Sequence, residues 1–260
     1  MRLDRYLTEH GYADSRTKAQ RMIEAGCVKL DGKWVRKCAY ELTEAQAATL
    51  EVEKDPVQYV SRGGCKLEAA LDTFAVSVAG LRVCDLGSST GGFTDCLLQR
   101  GAARVYAVDC GTDQLHPSLR SDPRVCVMEQ TNARTLTAPI LGGRCPLVTA
   151  DLSFISQTAI FPTVCRILSP DGRYICLIKP QFEAGRKALS KTGVVREEKT
   201  RLQAVKTVQQ AAETAGLRCL GTMVSPITGG DGNVEYLAIF APDPTSPVFA
   251  DLFSQREETP

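Results

Sequence analysis

Val83-Cys84-Asp85-Leu86-Gly87-Ser88-Ser89-Thr90-Gly91-Gly92-Phe93 runs an apolar strand into a glycine- and serine-rich turn, and Val105-Tyr106-Ala107-Val108-Asp109 follows as a second apolar strand ending in an acid. Strand, tight loop, helix and a second strand closed by a carboxylate are how a nucleoside-binding α/β domain opens. A ligand site is therefore expected near Gly87. Glycine takes positive φ and lets backbone approach a ligand closely, and an acid after the second strand can accept hydrogen bonds from both ribose hydroxyls.

The dinucleotide fingerprint G-x-G-x-x-G is not met: Ser88 and Ser89 follow Gly87, and Gly91-Gly92 comes too late. A loop without that pyrophosphate cradle, with Asp85 ahead of it to meet an amino group, fits S-adenosylmethionine better than NAD. A dehydrogenase, or a turn with no ligand, is the alternative. The expected cofactor contacts are Asp85, Gly87, Ser88, Ser89, Gly91, Gly92 and Phe93, with Asp109 on the ribose. Asn132, after the third strand, is expected on the adenine side.

Outward from this stretch the strand and helix periods alternate. Strands are expected at 81–85, 104–108, 125–128, 146–150, 174–179, 218–225 and 234–241, and helices at 66–74, 93–100, 156–168 and 197–215. The fold class is α/β: a Rossmann-like, doubly wound, mostly parallel sheet over residues 62–243, its last strand antiparallel because Gly229–Asn233 makes a compact turn. Residues 56–61 read as a linker, and 244–260, rich in proline and charge, as a frayed tail.

Residues 1–55 read as a small α+β unit of their own. Leu3, Tyr6 and Leu7 sit at helical spacing, Gly11 breaks that helix, and Ser15 can cap a second that buries Ala19, Met22 and Ile23. Gly26 ends it. Asp31-Gly32 then joins two short strands through a type I′ turn, and the charged, proline-closed run from Glu51 to Pro56 reads as the boundary. The first forty residues carry nine Lys/Arg against five Asp/Glu, and this segregated charge reads as a footprint for phosphates, with a solvated helix face as the alternative. Ser15, Arg16, Ala19, Ile23 and Gly26 follow S-R-x-x-A-x-x-x-I-x-x-G, which resembles the RNA-binding domain named after small-subunit ribosomal protein four. The resemblance puts Arg2, Arg5, Arg16, Lys18, Arg21 and Lys33 against structured RNA.

The whole chain of 260 residues has a net charge of +1, so any polyanion must be met by such a local patch. Its 43% hydrophobic and 23% charged residues are those of a globular protein. Eleven cysteines without a C-x-x-C pair and only two histidines argue against a zinc site and a disulfide framework, so no metal is expected. Reduced thiols inside strand patterns point to a reducing cytoplasm. The amino-terminal stretch lacks a signal peptide's apolar run, and no segment has the length of a membrane span.

Three polar residues close expected parallel strands: Asp109, Asp151 and Lys179. Lys179 ends the apolar run Tyr174–Ile178 and is held by Pro180, which aims an ammonium at the crevice unless it snorkels away. Lys66, Asp151, Lys179 and Glu235, in that order, resemble the Lys-Asp-Lys-Glu tetrad of the FtsJ-type ribose 2′-O-methyltransferases. YVSRGGCKL, DLGSSTGGFTD, TNAR, DLSFIS, KPQFEAGR, GVVRE and SPITGGDGNVEYL, behind the amino-terminal unit, resemble the TlyA family of ribosomal RNA methyltransferases, whose members also carry the name haemolysin. Cys65 departs from the histidine or other polar residue expected before Lys66, which puts RNA fit or local packing in doubt and leaves the tetrad intact.

The resemblance implies a cytidine 2′-hydroxyl of ribosomal RNA, free or in a subunit, as methyl acceptor and S-adenosylmethionine as donor. Lys179 would take the hydroxyl proton or hold the alkoxide, Lys66 would favour its neutral amine by like-charge repulsion, and Asp151 and Glu235 would fix lysine orientation and substrate geometry while their charges oppose that repulsion, a balance the sequence leaves open. An RNA-binding protein without catalysis is an alternative that the intact tetrad opposes. A membrane-lytic protein needs an exposed amphipathic apolar helix, which the sequence does not offer.

Overall fold

Leu3, Leu7, Ala19, Met22 and Ile23 recur at helical spacing, and in the computed structural model, which describes residues 1–13, 15–53 and 58–248, they close over one small core. Helix α1 (Leu3–Glu9) packs on α2 (Arg16–Ala25). Ser15 caps α2 by accepting from the Lys18 amide at 3.2 Å, and Gly26 ends it at φ 79°. Asp31 and Gly32 both take positive φ, as a type I′ turn requires, and join β1 (Val28–Leu30) to β2 (Lys33–Trp34). After α3 (Glu44–Ala47), Glu51–Val52 forms β3, which pairs antiparallel with β1. The expected boundary is thus partly a strand, because Val52 packs against the core while Glu51 and Glu53 meet Lys29.

The chain divides into two compact units, Met1–Gln58 and Tyr59 onward. Pro56 and Val57 of the expected linker lie outside the described residues. Tyr59 is buried, and the Val60 amide donates to Asp95 at 2.8 Å, so this end of the linker is folded into the second unit. The expected tail is also folded as far as it is described: Asp243 holds Thr245, and Ser246 and Val248 lie against Gly216. Residues 249–260 lie outside the described residues.

The second unit opens with α4 (Gly63–Thr73), followed by β4 (Arg82–Leu86), α5 (Gly92–Gln99), β5 (Arg104–Val108), α6 (Pro117–Arg120), β6 (Val125–Met128) and β7 (Cys145–Ala150). Then come α7 (Phe161–Ile167), β8 (Leu168–Ile178), α8 (Pro180–Glu183), α9 (Glu198–Thr214), β9 (Leu217–Val224) and β10 (Tyr236–Pro242). The sheet order is β6-β5-β4-β7-β8-β10-β9, with β10 antiparallel to both of its neighbours. The helix expected over 156–168 is split: Ser156 caps a short 3₁₀ turn, and α7 starts only at Phe161, with Pro162 in its first turn.

From β4 the chain winds first to β5 and β6, then crosses to β7 on the other side. The carboxyl ends of β4 and β7 therefore flank the switch point where an open α/β sheet binds its ligand. Beneath it Phe161, Tyr174 and Phe240 pack edge-on and tilted with centroids 5.7–6.2 Å apart. Burial pushes the thiol of Cys145 up to about 11 and those of Cys84 and Cys176 well above the usual range, so these cysteines act as small, protonated core residues. Among the described residues no helix is long and apolar enough to cross a membrane.

Candidate active site

Gly87 takes φ 78° as the chain leaves β4, and its amide and that of Ser88 both donate to the Val108 carbonyl, at 2.8 and 3.0 Å. A Cβ on Gly87 would stand 2.7 Å from the Asp151 carbonyl oxygen, so only glycine lets the ends of β4 and β7 come this close. The Ser89 and Gly111 amides donate to the two carboxylate oxygens of Asp109 at 2.9 and 2.7 Å. Asp109 is half-buried, which leaves its remaining lone pairs to a ligand.

A pocket of about 260 Å³ opens over this switch point. Gly87, Ser88, Ser89, Gly92 and Phe93 line one side, Ser61, Arg62 and Lys66 a second, and Asp151, Ser153 and Lys179 a third, with Thr228 and Gly230 at the edge. The glycine loop and the residues before α4 touch here, since a Cβ on Gly92 would run into the Ser61 hydroxyl.

Four of the expected cofactor residues do not line this pocket. Asp85 is fully buried beneath the loop and accepts from the hydroxyls of Thr94 at 2.7 Å and Thr149 at 2.9 Å. Burial pushes its carboxyl up to about 7 against those two hydrogen bonds, so Asp85 braces the loop and does not present itself to an amino group. Gly91 packs under Leu115 and Leu119, where no side chain would fit. Asp109 stands behind Ser89. Asn132 is exposed and caps the turn Ala133–Thr135 by accepting from the Arg134 amide at 3.0 Å.

The tetrad comes together as two ion pairs. Lys66, in the first turn of α4, meets Glu235 just before β10 at 2.5 Å, with side chains only 10% and 3% exposed. The Gly229–Asn233 turn packs onto Glu235, since a Cβ on Gly229 would lie 2.6 Å from its Oε1. Asn233 holds that turn by accepting from the Val195 amide at 3.0 Å and donating to the Gly193 carbonyl at 3.2 Å. Lys179 ends β8 and places Nζ 2.7 Å from Asp151 Oδ1 while donating to Ser153 Oγ at 3.1 Å. The expected repulsion between the lysines is thus offset, because each cation has its own carboxylate.

Two supporting residues escaped the sequence reading. Ser153 fixes Lys179, and a short polar residue two places after a strand-end acid was its signal. Glu183 accepts from the Ser156 hydroxyl and the Gln157 amide, at 2.5 and 2.8 Å, and so ties the loop after β7 to α8. Burial raises its carboxyl above the usual range. Nothing in the spacing marks it.

In the amino-terminal unit, Arg5, Arg16 and Lys33 are exposed, whereas Arg2, Lys18 and Arg21 are half-buried. Arg2 and Arg16 are both held by Asp4, and Arg5 pairs with Glu9 at 2.6 Å. Among the described residues no group of three or more histidine, cysteine or acidic side chains could hold a metal.

The chain matches the FtsJ-like methyltransferase family over residues 59–241 and the S4 domain over residues 1–46. It is similar to the 16S/23S rRNA (cytidine-2′-O)-methyltransferase TlyA of Mycobacterium tuberculosis, 45% identical over 90% of this chain and 87% of the relative. Hemolysin A of Brachyspira hyodysenteriae is 41% identical over 92% of this chain and 99% of its own length. A solved structure from Streptococcus thermophilus, provisionally named a hemolysin, superposes with a TM-score of 0.74 at 38% identity, covering 98% of this chain and 94% of the other.

A nucleoside loop at the switch point of a seven-stranded sheet, faced by Lys179 at the end of β8 and Lys66 in α4, defines the class: a Rossmann-like methyltransferase that uses S-adenosylmethionine. Behind its S4 domain, the chain belongs to the FtsJ-like methyltransferase family, within the group that includes TlyA.

Proposed function

We propose that this protein transfers a methyl group from S-adenosylmethionine to the 2′-hydroxyl of a cytidine in ribosomal RNA, free or in a subunit, and does so in the cytoplasm. The observation that carries this reading is the convergence of Lys66, Asp151 and Lys179 on the pocket bounded by the glycine loop. A methyl sulfonium supplies the electrophile when the cofactor is bound. The loop fits it: Ser88, Ser89 and Phe93 line the pocket, and glycines at 87 and 92, where a Cβ would strike the Asp151 carbonyl and the Ser61 hydroxyl, let the loop lie this close to its neighbours. Asp109 is assigned to the ribose hydroxyls from behind Ser89, and Asn132 to the adenine side.

A ribose hydroxyl is a poor nucleophile at neutral pH, so the protein's task is to hold its oxygen in line with the methyl group and remove its proton. Lys179 is assigned as proton acceptor. Bound RNA excludes water, and Lys179 as the neutral amine accepts the hydroxyl proton as the new C–O bond forms, with Asp151, 2.7 Å away, pairing with the ammonium that results. Ser153 keeps that amine aimed at the pocket. Lys66 is assigned to the acceptor ribose, oriented from behind by Glu235.

Residues 1–55 are assigned to RNA, through Arg2, Arg5, Arg16, Lys18, Arg21 and Lys33, and 62–243 to catalysis. Phosphate contacts supply affinity and position rather than base readout. The test is incubation of the purified chain with a tritiated methyl donor and unmodified ribosomal RNA or subunits, followed by nucleoside analysis. A 2′-O-methylcytidine product is expected, and label on a base or on protein alone would overturn the reading.

A further inference from the structure

Asp4 is fully buried in the second turn-forming position of α1, yet it carries a charge and is ringed by donors. Its Oδ1 accepts from Arg2 Nε at 3.1 Å and the Arg5 amide at 2.9 Å. Its Oδ2 accepts from Arg2 Nη2 at 2.9 Å, Arg16 Nε at 3.0 Å and Gln20 Nε2 at 2.9 Å. Such hydrogen bonding to the charged form holds the carboxyl well below the usual carboxylate range, so it stays ionised at any working pH.

The outer side of the cluster is open. The Arg2 side chain is 41% and that of Arg16 58% exposed, although both lean on one oxygen of a carboxylate with no exposure. Arg16 spends Nε on that oxygen, which leaves its two terminal amino groups; Arg2 keeps Nη1. Two guanidiniums side by side repel, and one buried carboxylate compensates only one of them. Arg2, Arg16 and Asp4 together sum to one positive charge, presented outward through the free terminal fork of Arg16 and the remaining amino group of Arg2, which is the charge and hydrogen bonding that a phosphodiester satisfies.

We propose that Asp4 is a positioning residue that locks Arg2 and Arg16 into a two-guanidinium clamp for one phosphodiester of the RNA substrate. The inference deepens the assignment of the amino-terminal unit to RNA and rests on it. It also reverses the sign expected from charge counting. Removing an acid from a basic surface raises the net positive charge and should tighten nonspecific RNA binding, whereas loss of the clamp should loosen it, because freed arginines must be reordered at each encounter.

The experiment measures binding of the full chain to a ribosomal RNA fragment by fluorescence anisotropy across a salt series, with the Tm and S-adenosylmethionine affinity of every variant. Asp4→Asn is expected to bind RNA about tenfold more weakly, with KM raised, kcat kept and S-adenosylmethionine affinity unchanged. Equal or tighter RNA binding by folded Asp4→Asn would overturn the proposal. Should Asp4→Asn not fold, Arg16→Lys decides: it keeps the charge but lacks the fork, and wild-type affinity in that variant would overturn the clamp while a comparable loss supports it. Arg5→Ala combined with Lys33→Ala, both outside the clamp, separates the two levels: weaker RNA binding there with wild-type affinity in Asp4→Asn would overturn the clamp alone, whereas unchanged affinity in that double variant and in Arg16→Ala would sink the assignment of this unit to RNA itself.

Discussion

Two lysine–acid pairs stand over the same crevice, and their surroundings differ. Lys66 and Glu235 are closed off from solvent, packed by the Gly229–Asn233 turn and joined at 2.5 Å. Lys179 is about as buried as Lys66, 12% against 10% exposed, but its partner Asp151 is 24% exposed, and Lys179 also leans on Ser153. A sealed pair is costly to break because the surviving charge stays buried, whereas the partner in an open pair can turn to water. From this difference we assign the sealed pair, Lys66–Glu235, to holding the site together and the half-buried pair, Lys179–Asp151, to the proposed proton transfer.

Breaking each pair in turn should therefore damage different properties. Lys179→Ala is expected to lower single-turnover methyl transfer by about 10²-fold or more while the urea midpoint and S-adenosylmethionine affinity barely move. Lys66→Met should do the reverse in its leading effect, costing about 3 kcal/mol of stability in urea melts by stranding Glu235. If Lys66→Met melts like the wild type, the contrast between the pairs fails.

Asp109→Ala tests the side of the crevice that neither pair touches. Calorimetry should find S-adenosylmethionine bound about tenfold more weakly, because the substitution removes the ribose acceptor and releases the Ser89 amide that shapes the loop. RNA affinity should not change. A pH-dependent effect is expected at Asp85, whose carboxyl is pushed up to about 7 by burial. Its folded value lies above its unfolded one, so its contribution to stability is complete below the ordinary carboxylate range and is lost as pH rises towards 7. Asp85→Asn should remove that slope, at most about 1.4 kcal/mol per pH unit, from urea midpoints taken between pH 5 and pH 8. A wild-type slope in the variant would show that Asp85 is not the group concerned.

Much of the fold was legible because its signals are local. Gly87 and Asp109 mark strand ends, Ser15 and Gly26 mark the limits of α2, and Asp31-Gly32 marks a hairpin, each through backbone chemistry that few other residues can supply. The strand β3 was not legible, since two residues paired across a long loop leave no period to read. At the site, order along the chain named the four tetrad residues as candidates, but not how they pair. Which acid serves which lysine depends on the register of β8 against β7 and β10, a nonlocal property. Asp85 and Gly91 misled for a related reason: a polar or flexible residue beside a loop looks the same in sequence whether it faces the ligand or braces the loop from below.

The most direct test of proton transfer through the open pair is single-turnover methyl transfer by Lys179→Arg at saturating S-adenosylmethionine. Guanidinium keeps the positive charge and can still pair with Asp151, yet it cannot give up a proton near neutral pH. The expected result is a rate at least about 10²-fold below wild type, close to that of Lys179→Ala, with cofactor affinity preserved. A rate near that of the wild type would contradict proton acceptance by Lys179 and leave this residue an electrostatic role only.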